Sequence, residues 1–147
     1  MGKYDKYIVT TPRPAELTHY KLPFDIRRSV TWMDSSLVEG ACNMECVWYY
    51  KPFEGPGHHV ENDTTEILGF FGTNQDDPTD LGGTIRFRFE DEWVTLTKSC
   101  LLFIPQGMWH CPFIVDEVRT PIFHLAITPQ RFYAKRRNPD GSTKEDK

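Results

Sequence analysis

No apolar run in this chain is long enough to cross a membrane as a helix. The strongest run of its C-terminal half, Leu101-Leu102-Phe103-Ile104, stops at Pro105, whereas a span needs about 20 residues. The N-terminus, Met1-Gly2-Lys3-Tyr4-Asp5-Lys6-Tyr7, lacks the apolar core of a secretory signal. The four cysteines, Cys42, Cys46, Cys100 and Cys111, fall into no framework pattern. Without a signal they are expected to be reduced thiols in a cytoplasmic protein. Cys42-x-x-x-Cys46 has no second pair at ligand spacing, which argues against a structural zinc site. A basic excess is missing too: 17 basic side chains face 21 acidic ones, for a net charge of −4. From Arg131 onward the balance is +3, which leaves −7 on the preceding 130 residues. So acidic a body argues against docking on nucleic acid or other phosphate-rich partners.

Helical periodicity is absent between about residues 26 and 129, and alternation replaces it. Ile85-Arg86-Phe87-Arg88-Phe89-Glu90 alternates apolar and charged residues, Asp91-Glu92 offers a turn, and Val94-Thr95-Leu96-Thr97 resumes the pattern. That is a hairpin. Cys46 to Tyr50, Ile67 to Phe71, Leu101 to Ile104 and Ile122 to Thr128 are further strands, rich in aromatic and branched residues. Breakers separate them at Pro52–Gly57, Asp76–Gly83 and Pro105–Gly107. With 147 residues, 39% of them hydrophobic and 14% aromatic, the chain has the core of one domain. Many short strands in one domain predict an all-β sandwich or barrel over residues 26–130. Residues 1–25, with Pro12, Pro14 and Pro23, read as an extended arm. Residues 131–147 read as a polar tail, disordered from Asn138 to Lys147. A single helix is expected near Pro129 to Lys135, with Thr128 as its cap.

Three of the five histidines fall in two stretches. The first runs Gly55-Pro56-Gly57-His58-His59-Val60-Glu61 and continues to Glu66 and Gly72; the second is Pro105-Gln106-Gly107-Met108-Trp109-His110. Together they resemble the cupin superfamily, whose first motif is a Gly-led His-x-His followed by Glu and Gly. Its second motif, Pro-x-Gly-x-x-His, is matched in full by Pro105, Gly107 and His110. The resemblance covers about residues 50 to 115. It implies a small antiparallel β-barrel, or jelly roll, with one divalent metal held inside by histidines and a carboxylate. Iron is the expected ion, with manganese, zinc and nickel as alternatives; imidazole and carboxylate suit all four.

The chain departs from that pattern at one point. His58 and His59 are adjacent, so on a regular strand they face opposite ways. Three ligand sets stay open. Glu61 replaces the second histidine beside His59; or a bulge turns both His58 and His59 inward; or His59, Glu66 and His110 form a facial triad. All three keep His59, Glu66 and His110. Cys111 follows His110 directly and is expected to point away as a buried thiol. Phe123, Leu125 and Ile127 share one face of their strand and His124 takes the other, either as a pocket residue or on the surface.

An open metal position points to an enzyme acting on a small organic substrate. The aromatic-rich barrel leans toward an Fe(II)-dependent oxygenase. A non-redox isomerase, decarboxylase or lyase, with Glu61 or His124 in a catalytic role, is the alternative, and a metabolite-binding cupin without chemistry is the third reading. The arm is placed to cover an open sheet edge in a homodimer.

Overall fold

The computed structural model describes residues 2–17, 22–61 and 64–129, together with the backbone of 136–137 and 143–144; of Glu61 only the backbone is described. Single 3-10 turns at Asp5–Tyr7 and Ala15–Leu17 precede the strands. The described chain then runs through β1 (Arg27–Met33), β2 (Asn43–Tyr49), β3 (Phe53–Glu54), β4 (Val60–Glu61), β5 (Glu66–Phe71) and β6 (Asp80–Phe89). It continues with β7 (Glu92–Lys98), β8 (Cys100–Ile104), β9 (His110–Val118) and β10 (Ile122–Thr128), then short β11 (Arg136–Arg137) and β12 (Thr143–Lys144).

Every pairing is antiparallel, in a five-stranded sheet ordered β1-β2-β10-β5-β8, a four-stranded sheet ordered β3-β9-β6-β7 and a small β12-β11-β4 sheet. The two large sheets pack face to face, as an all-β jelly roll requires. Val47, Tyr49, Phe70 and Ile122 come from one sheet and Ile85, Phe87, Phe113 and Val115 from the other, all inside one core. Ring contacts lock that core, with Tyr49 against Phe53 at 4.6 Å and Phe70 against Phe113 at 5.6 Å, both edge-on.

The expected hairpin is β6–β7, with its turn at Glu90–Asp91, one residue earlier than the sequence suggests. Among the long strands β1 and β9 escape the sequence pattern, as do the two-residue β3, which falls in the stretch read as a breaker, and β4. Pro112 sits inside β9, and proline cannot donate to a central ladder, so that segment reads as non-strand. β9 accommodates it by an irregularity: Phe87 pairs Phe113 and Phe89 pairs His110, which leaves β9 one residue longer there. The helix expected at Pro129–Lys135 falls almost wholly outside the described residues. In the tail, Thr143–Lys144 pair with Arg136–Arg137, which pair in turn with Val60–Glu61, so these positions are ordered by pairing rather than left without structure.

The arm lies along β1, an edge strand. Thr31 donates to the Val9 carbonyl at 3.0 Å, and the Arg13 amide donates to Ser29 Oγ at 3.0 Å. Arg13 itself is buried, stacked over Trp32 and paired with Glu45. The edge is thus covered from within the chain.

Sheet register sorts the side chains of β10 against the usual rule. His124, Ala126 and Thr128 face the interior, while Phe123, Leu125 and Ile127 face outward. Trp48, Cys46 and Met44 lie opposite these on β2, and Ile67, Leu101 and Phe103 extend the same face across β5 and β8. Leu101 is 64% exposed and Phe103 56%. The outer face of the five-stranded sheet is therefore apolar over most of its width. Among the described residues no helix is long and apolar enough to cross a membrane, and no disulfide joins the four cysteines.

Candidate metal centre

His59 and His110 form an antiparallel bridge just outside β4. The His59 amide donates to the His110 carbonyl at 2.9 Å and the His110 amide to the His59 carbonyl at 2.8 Å. Residues directly opposite in such a pair project to the same face. Both imidazoles are accordingly buried, with ring centroids 4.4 Å apart. The Pro105–Gly107 turn delivers His110. Met108 N–H closes on the Pro105 carbonyl at 3.1 Å, and Gly107 adopts φ +84°, which a β-carbon would strain.

Each ring is held by its Nδ1. His59 Nδ1 lies 2.7 Å from the Gly57 carbonyl, and His110 Nδ1 lies 2.9 Å from the Met108 carbonyl. A carbonyl only accepts, so both Nδ1 atoms carry the proton and Nε2 keeps the lone pair in the neutral ring. That is the hydrogen bond by which metal-bound imidazoles are oriented. Glu66, buried at the start of β5, brings Oε1 to 3.2 Å from His110 Nε2. Two donors each about 2.1 Å from one ion stand roughly 3.0–3.4 Å apart, so the spacing suits a shared ion.

His58 takes the other side of the chain, as strand parity requires. It stacks on Trp109 at 5.2 Å, and its Nδ1 lies 2.7 Å from the Cys111 carbonyl. The side chain of Glu61 lies outside the described residues. Cys111 corrects the sequence reading. Its thiol does not point away from the histidines: a ligand atom from each of His59, His110 and Cys111 lies within 4.8 Å of the others. The cause is the irregularity in β9, where Cys111 has φ 67° and alternation is broken. The signal available in the sequence was Pro112, which marks a strand irregularity immediately after Cys111.

The facing wall comes from the five-stranded sheet. Thr128 lies opposite Asn43, and Ile127 lies opposite Ile67, so the next interior pair across β10 and β5 is Thr128 and Glu66. Asn43, Thr128, Glu66 and Ile104 form one buried transverse row beside His110. The sequence offered Thr128 only as a helix cap and Asn43 not at all, because a polar residue in a strand reads as solvent-facing; Thr128 is instead the buried last residue of β10.

His124 is not brought to this cluster. It sits four positions from Thr128 along β10, about 13 Å at strand rise. There it stacks between Phe70 at 4.6 Å and Tyr49 at 5.2 Å, with Nδ1 2.8 Å from the Gly69 carbonyl. Burial drives its pKa down to about 3, with Gly69 opposing and Arg27 adding to the fall. The sign follows from linkage. Near pH 7 both folded and unfolded histidine are neutral; below about 6.5 only the unfolded chain binds the proton. Stability should therefore fall between about pH 6.5 and 3, at up to about 1.4 kcal/mol per pH unit from this residue. His124→Phe should flatten that decline in denaturant titrations run across pH. An unchanged slope would place the acid sensitivity elsewhere.

No protein-family model matches the chain, and no curated protein sequence does. Solved structures do. Oxalate oxidase in complex with the substrate analogue glycolate superposes at TM-score 0.51 with 13% identity, over 83% of this chain and 66% of that one. Bacillus subtilis oxalate decarboxylase gives 0.52 and 15%, over 79% and 28%. This chain has the cupin fold. It spans just under two thirds of that oxidase and under a third of the decarboxylase. Peruvianin-I, a cysteine peptidase from Thevetia peruviana latex, also superposes on this chain, at TM-score 0.55 and 12% identity over 91% and 78%. One scaffold thus carries different activities, and function rests on the site.

Proposed function

We propose that this protein is a mononuclear metal-dependent cupin enzyme acting on a small organic molecule inside the barrel. The observation that carries the reading is the buried trio His59, His110 and Glu66. Two imidazoles fixed through Nδ1 turn Nε2 toward a carboxylate 3.2 Å from one of them. Two histidines and a carboxylate are the donor set of iron(II) oxygenases. A divalent ion held there supplies Lewis acidity, and iron(II) supplies dioxygen chemistry as well. The residues of the chain do the rest. The backbone carbonyls of Gly57 and Met108 hold the rings in place, and the three side chains are themselves buried. Glu61 is the proposed base or additional ligand.

Cys111 favours a second reading. A thiolate beside two imidazoles suits zinc, and with zinc the chemistry is a non-redox isomerase, decarboxylase or lyase reaction. The two readings separate on protein purified without added metal. Bound iron with substrate-dependent oxygen uptake supports the oxygenase; bound zinc or manganese with no uptake supports the non-redox enzyme. A protein that takes up no metal leaves a binding module.

The proposed assembly is a homodimer through the apolar outer face of the five-stranded sheet, where Leu101 and Phe103 stand exposed. Leu101→Glu with Phe103→Glu should leave the fold intact and convert the species seen by sedimentation from dimer to monomer. A wild-type monomer at high concentration would contradict this assembly.

A further inference from the structure

Among the described residues, two polar atoms on the wall facing the histidines have no hydrogen-bond partner: Asn43 Nδ2 and Thr128 Oγ1. Asn43 is 2% exposed and Thr128 is fully buried. They lie directly opposite one another on β2 and β10, in the interior row that continues to Glu66. Opposite residues in an antiparallel pair carry β-carbons about 5 Å apart. Two orphaned groups side by side, one strand from a candidate ligand, are not explained by packing. A buried polar group without a partner costs stability, and folded proteins leave few of them.

The chemistry of the two atoms selects their occupant. An amide Nδ2 donates and cannot accept, and a threonine hydroxyl donates as readily. An ammonium group has no lone pair for them; a carbonyl or carboxylate oxygen does. Glu66 Oε1 lies 3.2 Å from His110 Nε2, and the carboxylate accepts from neither Asn43 nor Thr128. We infer that Asn43 and Thr128 form an oxygen-recognising subsite that positions a carboxylate or carbonyl group of a small substrate against the His59–His110–Glu66 centre. This rests on the metal centre proposed above. The row spans two strand spacings, roughly 10 Å from Asn43 to Glu66, which limits the ligand to a molecule of a few heavy atoms.

The test uses the full chain with glycolate as probe, reading metal content, melting temperature and calorimetric affinity on the same samples. Thr128→Val and Asn43→Ala should keep the metal content of the wild type and weaken glycolate binding by about tenfold or more. Thr128→Val should also melt a few degrees higher, because it removes an unsatisfied buried hydroxyl. A lower melting temperature with unchanged glycolate affinity would show a structural hydroxyl and overturn the inference. Loss of metal from either variant would overturn it as well, by making the pair part of the metal cradle. So would a wild type that does not bind glycolate. A wild type that takes up no metal but binds glycolate through Asn43 and Thr128 would defeat the proposed metal centre and leave the subsite standing.

Discussion

His110→Gln and His59→Gln should each strip the protein of metal, whereas His58→Gln should retain it. Each of the first two removes an imidazole whose Nε2 faces the interior beside Glu66 or its partner ring. Loss of a mere hydrogen-bond partner of a ligand costs about 10–100-fold in metal affinity, and loss of a ligand should exceed that. Glutamine keeps the side chains close in volume, so circular dichroism should report an intact barrel. His58 stacks on Trp109 on the opposite side of the chain, and its replacement should shift affinity little. Metal content of the three variants decides between the sides. Retention by His59→Gln with loss by His58→Gln would put the ligand face where His58 now points.

The second large effect is on stability. A β-carbon added at Gly72 would lie 1.8 Å from the Asp80 carbonyl oxygen, a backbone atom with nowhere to move. Gly72→Ala should therefore cost about 3 kcal/mol or more, a fall of roughly 6–12 °C in melting temperature for a chain of this size. Two other glycines of the same motifs serve as controls. Gly107 has open space but φ +84°, so alanine there should cost about 1 kcal/mol of backbone strain. Gly57 has neither a close neighbour nor a positive φ, and alanine should be within about 0.5 kcal/mol of neutral. Thermal unfolding of the three should rank Gly72 far above Gly107 and Gly107 above Gly57. A tolerated Gly72→Ala would contradict the close approach of β5 and β6.

What the sequence disclosed followed from periodicity. Ile122–Thr128 alternates cleanly, and β10 has those bounds. That His58 and His59 face opposite ways was legible from parity, because the bridge to His110 keeps the pleat regular there; which of the two turns inward was not, and the choice of His59 came from the resemblance. Cys111 was not legible. Its inward place depends on the extra residue in β9, which resets the parity of everything after His110. Asn43 and Thr128 were hidden for the opposite reason: their alternation is regular, but polarity alone does not say which face of a sheet is buried. On β10 that rule inverts, since the apolar residues Phe123, Leu125 and Ile127 took the outer face and His124 and Thr128 the inner one. The five-stranded sheet thus carries an apolar outer face and a partly polar inner one.

Elemental analysis of this chain, purified without added metal and then incubated with iron(II), manganese(II), zinc(II) or nickel(II), tests the central claim most directly. The account predicts about one equivalent of a divalent metal per chain, lost when Glu66 and His110 are replaced together. A folded wild type holding no metal after every incubation would contradict it.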